Sequence, residues 1–550
     1  MKLRKISIIG IKKTLFFITI PFLVTSCTAR GCSVRGKNEC KKINKTRTAE
    51  LIYWRLYEDS SVMEGIIKKF EEKNPGIRIK VIKKDYSNYY DDLKKSLGSL
   101  KERPDIVQIR NDWFVDFQEN LVSADPKDWS ESSKKDLFSF YEKIWKCNNP
   151  DSSYSFGDLE KSLKVVITPT EISQNFAPIV YKDTIMDGKV FGVALYIQNL
   201  GLFYNKTLFR RFGIEKVPET WEEVAEVSRK ITTDINGKHP GDEGFNPTQL
   251  EYAGIAFGDS QIGINRATDI LATLFMQRGI NMVDSKISQA TFNQSFRDIS
   301  GADVLDFYTS FTDPASDNFS WDGNFGGGIG ADEAFRRGKV GMIINYPHKL
   351  KNGAENYWDA INSFDPETGK KPRFDLGVAK LPAFSLNRID LAYGSYFSEV
   401  VTSINYPYES WLFLRYLTGL DEENLEESPP WIYASNTNLP SSRTGEFLRK
   451  QIEAPHKNFT DWRDSETLDP LIKPFVEQIS KSISWQKRKP IEVEKAISSM
   501  IVSVQKFKIP GLKSSDPVPA SNPKKAVSAG AKCVSELLNE KNCNMSDVLI

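Results

Sequence analysis

Four consecutive side chains, Arg110-Asn111-Asp112-Trp113, set a guanidinium, a carboxamide, a carboxylate and an indole just after the candidate strand Pro104-Asp105-Ile106-Val107. The first three hydrogen-bond in pairs, and the last offers a flat apolar face. Together they suit a small polar ligand with hydroxyl edges and C–H faces. In open α/β sheets ligands sit beyond the carboxyl ends of strands, and this cluster stands at such an end. A plainer arrangement, with Arg110 and Asp112 paired to each other, fits the same residues. Trp321 and Trp431 lie in polar, loop-like stretches and join Trp113 as candidate rings, whereas Trp54, Trp221 and Trp411 are assigned to the core.

Other chemistries find little purchase. There is no G-x-S-x-G and no H-E-x-x-H. No C-x-x-C occurs, and the only histidines are His239, His348 and His456, so zinc is a poor reading. Gly338-Lys339-Val340 lacks the hydroxyl residue of a phosphate-cradling loop, and Gly326-Gly327-Gly328 has the composition of a flexible loop. Two carboxylates would suffice for glycoside hydrolysis, and 72 acidic residues make chance pairs unavoidable, so an envelope glycan-active enzyme stands as a rival reading. No catalytic residue, metal or cofactor is assigned.

The elements that must position the cluster are legible from their periodicity. Ala49 to Trp54 reads as a buried strand. Ser61 and Glu64 form a capping-box pattern ahead of Met63, Ile66, Ile67 and Phe70 at helical spacing. Asn74-Pro75-Gly76 ends that helix, and Ile77, Ile79 and Val81 alternate with Arg78 and Lys80 as a half-buried strand. Strand, helix, strand is one βαβ unit of a parallel sheet. Asp187-Gly188-Lys189 reads as a turn ahead of strands at Val190 to Leu195 and Leu200 to Tyr204, and Thr220 with Glu223 as a second capping box.

The ends carry a different message. Lys2, Arg4, Lys5, Lys12 and Lys13 precede an apolar run from Leu15 to Val24 that stops at Ser26-Cys27, the order of an export signal over residues 1–26. Its removal takes the formal charge from +2 to −3, since five positive and no negative charges leave, and nothing resembles a nucleic-acid binder. Residues 27–47 read as a solvated basic tether near anionic headgroups. Residues 511–550 are Ser-, Pro-, Lys- and Ala-rich and are expected to be largely disordered, apart from a short helix near Val534 to Leu538. Cys32/Cys40 and Cys533/Cys543 are close enough in sequence to close small loops in an oxidising compartment, although spacing alone establishes neither.

Four segments in a fixed order resemble the extracellular solute-binding proteins of ATP-driven (ABC) importers, in the large family containing maltose- and other sugar-binding proteins. They are Val62 to Val81, Arg103 to Trp113, Asp187 to Thr220 and Ala334 to Asn345. The densest stretch is Asp187-Gly188-Lys189-Val190-Phe191-Gly192-Val193, followed by Leu202 to Phe209 and Pro218-Glu219-Thr220-Trp221. Val24-Thr25-Ser26-Cys27 likewise resembles the bacterial lipobox, which implies a diacylglycerol on Cys27. The resemblance implies an α/β, two-lobed periplasmic-binding-protein fold with discontinuous lobes joined by crossing strands. The crossings fall near Leu195 to Asn199 and Gly394 to Val400. One lobe takes 48–196 and 400–425, the other 199–393 and 430–510.

By the same resemblance the cleft is lined by Glu58 and Asp59, by Arg110, Asn111, Asp112 and Trp113, by Gln198 at the crossing, and by Tyr346 and His348. Asp59 serves either there or as a helix cap, and His348 either as a platform or facing solvent. The implied protein is a monomer, lipid-anchored on the outer face of the cytoplasmic membrane or in the periplasm. It binds a small molecule, expected to be a carbohydrate, and works with ABC permease subunits. Mixed charge at Glu58, Asp59, Arg110 and Asp112 leaves a polyamine, a phosphorylated polyol or an iron complex open. Ala194 departs from the family pattern, which has proline there.

Overall fold

The computed structural model describes residues 47–56, 60–99, 102–149, 153–155, 157–159, 166–351, 356–363, 369–422, 427–437, 439–443, 470–505, 522–545 and 548. Two five-stranded sheets, each covered by helices, build two lobes.

In the first lobe, β1 (Ala49–Leu56) pairs in parallel with β2 (Ile77–Lys84) and β3 (Ile106–Arg110). The strand β16 (Phe397–Val401) runs antiparallel between β3 and β6 (Gly192–Ala194), giving the order β2-β1-β3-β16-β6. Helix α1 (Ser60–Lys73) links β1 to β2, with Met63, Ile66, Ile67 and Phe70 buried as the spacing predicts. Helix α2 (Tyr86–Leu97) leads to β3 and is capped by Asp85, whose carboxylate accepts from Ser87 N. The hairpin β4 (Ile185–Met186) to β5 (Lys189–Val190) turns through Asp187 and Gly188, both at positive φ (48° and 72°), the mirror-image turn that suits strand twist.

In the second lobe the order is β14-β8-β13-β10-β9, formed by Leu376–Lys380, Gly201–Asn205, Val340–Asn345, Leu250–Ala256 and Thr233–Asp234 respectively. Helix α3 (Trp221–Ile231) starts at a complete Thr220/Glu223 capping box and buries Trp221, Val224, Val227 and Ile231. Helix α4 (Ala267–Gln277) is buried along its whole length, and a small hairpin, β11 (Ser295–Phe296) to β12 (Ile299–Ser300), precedes α5 (Gly301–Thr309).

Between the lobes a three-stranded sheet, β17-β15-β7, carries the crossings. β7 (Gln198–Asn199) is antiparallel to β15 (Ala392–Ser395), with Gly394 opposite Asn199. β15 is parallel to β17 (Ser482–Ile483). Gly394 has no room for a side chain, since a Cβ would stand 2.5 Å from Ile179 Cδ1. The resemblance placed two crossings; β17 and the segment after it were not foreseen.

Two expectations on the chain's later part fail. Within 430–443 the described residues pack with the first lobe: helix α6 (Pro407–Thr418) is followed by α7 (Pro429–Thr437), whose Tyr433 stacks on Tyr196 at 5.6 Å, and Leu439 joins the same first-lobe core. The stretch expected to be a disordered tail contains α9 (Pro523–Leu538), which is Asn522-capped and lies against α5 and α8 (Pro490–Val502). Its Ala, Val, Cys and Leu residues form a helical stripe that buries Val527, Ala531, Val534 and Leu538, and a Cys533–Cys543 disulfide pins its end. Cys147 is also disulfide-bonded. The signal, the tether with Cys27, and the Cys32/Cys40 pair lie outside the described residues. Among the described residues no helix is long and apolar enough to cross a membrane.

Candidate ligand-binding site

β3 runs out at Arg110, and Asn111–Trp113 turn as a short 3-10 helix at its carboxyl end. Arg110, only 4% exposed, donates Nε and Nη2 to the two oxygens of Asp112 at 2.7 and 2.6 Å, the paired geometry that a planar guanidinium favours. The same Nη2 lies 2.6 Å from Glu494 on α8 and 4.0 Å from Asp269 on α4. Lys487, reached after β17, sits 2.8 Å from Asp112 and 3.4 Å from Glu494. Cations and carboxylates from both lobes therefore meet out of water at one place.

Their ionisation follows from that placement. Burial opposes each charge, yet Arg110 and Lys487 are held above their ordinary values by Asp112 and Glu494. Burial also works against Asp112 and Glu494, and Arg110 and Lys487 outweigh it, keeping both carboxyls below the usual range. Asp269 is pushed up by burial, which the more distant Arg110 and Lys487 do not fully offset.

Aromatic rings flank this charge cluster. On the first lobe Tyr86 stacks on Trp113 at 6.3 Å, with the Arg110 guanidinium 5.8 Å from the Trp113 ring centre. On the second, Tyr346 donates its hydroxyl to Asp269 at 2.9 Å and stacks with His348 at 6.1 Å, while Arg266 lies 5.6 Å from the Tyr346 ring centre. His348 Nδ1 is 2.6 Å from Gln198 Oε1, so Nδ1 carries the proton and Nε2 is left as an acceptor. Burial, with Arg266 and Lys349 nearby, pulls His348 down to about 3, so the ring is neutral at physiological pH. Trp113 Nε1 and Arg266 Nε are buried donors with no hydrogen-bond partner among the described residues. Buried donors call for acceptors, and ligand oxygens would supply them.

Of the residues singled out by sequence, Arg110, Asp112, Trp113, Gln198, Tyr346 and His348 converge here. Asn111 does not face the same partners. Its Nδ2 donates to Asp183 (2.9 Å) and to Gly394 O (3.2 Å), and its Oδ1 accepts from Tyr396 N (3.1 Å), so its side chain ties β3 to the crossing strands. Trp321 is 1% exposed in the second-lobe core against Phe325. Trp431 belongs to helix α7 and not to a loop. Glu58 and Asp59 lie outside the described residues. Sequence reasoning missed Tyr86, Arg266, Asp269, Lys487 and Glu494. Glu494 is 384 positions from the arginine it binds, and no local pattern links the two. Among the described residues no group of His, Cys, Asp and Glu is arranged to hold a metal ion.

Solved structures share this architecture. An ABC substrate-binding protein of Listeria monocytogenes in complex with cycloalternan aligns at a TM-score of 0.56 with 15% identity, over 90% of this chain and 99% of that one. The cyclic alpha-maltosyl-1,6-maltose binding protein of Arthrobacter globiformis aligns at 0.56 with 17% identity, over 90% and 100%. The sugar-binding protein MalE of Xanthomonas citri aligns at 0.56 with 16% identity, over 90% and 98%. At such identities the likeness establishes the two-lobed fold. A family model described as bacterial extracellular solute-binding protein matches residues 54–423, about two thirds of the chain. The chain belongs to the bacterial extracellular solute-binding proteins.

Proposed function

We propose that this protein is the substrate-binding component of an ABC importer, and that it captures a sugar or related small polar solute between its lobes without turning it over. The observation that carries the reading is the meeting of Arg110 and Asp112 from the first lobe with Asp269, Arg266 and Tyr346 from the second, between two aromatic stacks. Three cations, Arg110, Arg266 and Lys487, face three carboxylates, Asp112, Asp269 and Glu494. That balance favours a neutral polyhydroxylated guest over a polyamine or a phosphorylated one. The rings suit sugar C–H faces, and the orphaned indole and guanidinium N–H groups suit sugar oxygens. Similarity of fold to a protein in complex with cycloalternan, a cyclic alpha-maltosyl-1,6-maltose binding protein and a sugar-binding protein supports the same class.

The chain works as a monomer presented from the outer face of the membrane, tethered by a diacylglycerol on Cys27 after removal of residues 1–26; the Val24 to Cys27 pattern supports the tether. A thermal-shift and calorimetric panel of linear and cyclic glucans, monosaccharides, polyols, polyamines and sugar phosphates tests the ligand class. One neutral saccharide is expected to raise stability by mass action, with the effect lost in Arg110→Met. A shift confined to charged compounds, or release of cleaved sugar during the titration, would refute the reading.

A further inference from the structure

Away from the cleft, the second lobe carries a cavity of about 380 Å³ between the β11–β12 hairpin and the loop after β14. Its polar lining is Arg278, Arg297, Arg388 and Asn387, with Phe296 and two isoleucines completing the wall and no carboxylate among them. The three guanidiniums are incompletely matched. Arg297 donates to the amide oxygen of Asn387 and stands 5.3 Å from the Phe296 ring centre; no ion pair to it occurs among the described residues. Arg278 has only a distant carboxylate, Glu222 at 3.9 Å, and lies over the Phe384 ring at 3.5 Å. Arg388 pairs with Asp390 at 2.7 Å, but Asp390 is shared with Lys481 at 3.1 Å. Asp298, at the hairpin tip beside Arg297, is not part of the lining.

Two large apolar side chains stand in water at the same place. Phe296 is 43% exposed on the hairpin, and Leu386 is 64% exposed in the facing loop, where its carbonyl accepts from Arg278 Nη1 at 3.4 Å. Exposed apolar tips beside Arg297, which has no ion pair among the described residues, and two partly matched guanidiniums are what a protein offers to a lipid interface. The guanidiniums take phosphate oxygens, and the apolar tips enter the acyl boundary.

We propose that this cavity is a phosphate-binding site through which the second lobe rests on anionic phospholipid headgroups, with Arg278, Arg297 and Arg388 on the phosphate and Phe296 and Leu386 in the boundary layer. The contact is separate from the ligand cleft and from any acyl chain on Cys27. It would hold the lobe at the membrane surface, where an importer's mouth lies.

The test uses the full chain with Cys27→Ser, so that no acyl anchor contributes, and measures co-sedimentation with vesicles of phosphatidylglycerol and phosphatidylcholine against phosphatidylcholine alone. Binding to the anionic vesicles alone is expected. It should weaken at least about tenfold in R297Q/R388Q, from roughly one charge-pair's worth per arginine, and several-fold in F296S/L386S, with thermal stability retained in both. Equal binding to both vesicle types, or no loss in either variant, overturns the proposal. So does tight binding of inorganic phosphate or glycerol phosphate with no vesicle binding, because the site would then serve a free phosphate.

Discussion

Asp183 is 3% exposed and accepts hydrogen bonds from Asn111, Tyr396, Ser484 and Gln486, with no ion pair to it among the described residues. Burial pushes its carboxyl up to about 6, with the donors Asn111, Ser484 and Tyr396 and the charge of Lys182 holding it from rising further. Since the folded value exceeds the ordinary 3.8, the native chain keeps a proton that the unfolded chain has released. The contribution is therefore full below about pH 4 and lost as pH rises through about 6, and amounts to about 3 kcal/mol. Asp183→Asn removes this dependence but turns an N–H toward existing donors. It should be less stable than wild type throughout, with the gap narrowing by about that amount between about pH 4 and pH 7. Denaturant titrations at several pH values check this, and a constant gap would contradict it.

The buried cluster at Arg110 invites a second residue-scale prediction. Lys487→Met leaves Asp112 and Glu494 under-compensated and should cost about 3 kcal/mol. Adding Glu494→Gln restores the balance, so the double variant should be more stable than the sum of the singles by about 1–3 kcal/mol. Strict additivity in a double-mutant cycle would mean that the two groups do not act together.

Among elements, those with local signatures were readable. The Ser61 to Phe70 helix, the alternating β2, the Asp187-Gly188 turn and the Thr220/Glu223 box each announce themselves within a dozen residues. The βαβ order then follows from strand geometry. What escaped depends on distance. The first lobe's contribution to the site, at the end of β3, was legible because it follows a strand. Asp269 lies inside a helix buried on all sides, where no period marks its inward face, and Lys487 follows a two-residue strand. α9 was misread because its Ser, Lys and Pro content resembles a solvated tail, while the stripe from Val527 to Leu538 only has meaning once α5 and α8 are there to cover it. The Cys533–Cys543 closure holds that helix end. Cys533→Ser is expected to cost about 2–3 kcal/mol, read as a lower melting temperature, and reducing agent should lower wild type further than the variant, which keeps the Cys147 bridge alone among the described residues.

At the scale of the whole molecule, the lobes are joined by the three-stranded β17-β15-β7 sheet and bridged by Arg110 and its partners. A ligand can favour closure only through contacts that the closed form adds. Ion pairs across the cleft add to closure even without ligand, so Arg110→Met should populate open forms in the ligand-free chain. Small-angle scattering is expected to give a larger radius of gyration for that variant than for wild type, and a larger drop when saccharide is added to wild type than to the variant. Identical profiles for the two ligand-free proteins would show that Arg110 has no part in holding the lobes together.

The strand order of the first sheet also governs when this protein can fold. β16, from residues 397–401, lies between β3 and β6, so the sheet stays split until nearly three quarters of the polypeptide has been synthesised. The second lobe waits longer still, for α8 and α9 near the carboxyl end. Pairings between such remote segments form slowly. A nascent chain of this design can pair β1 with β2 and β3 early, but neither lobe is complete until its late segments have been made, and the Cys533–Cys543 bridge can form only then.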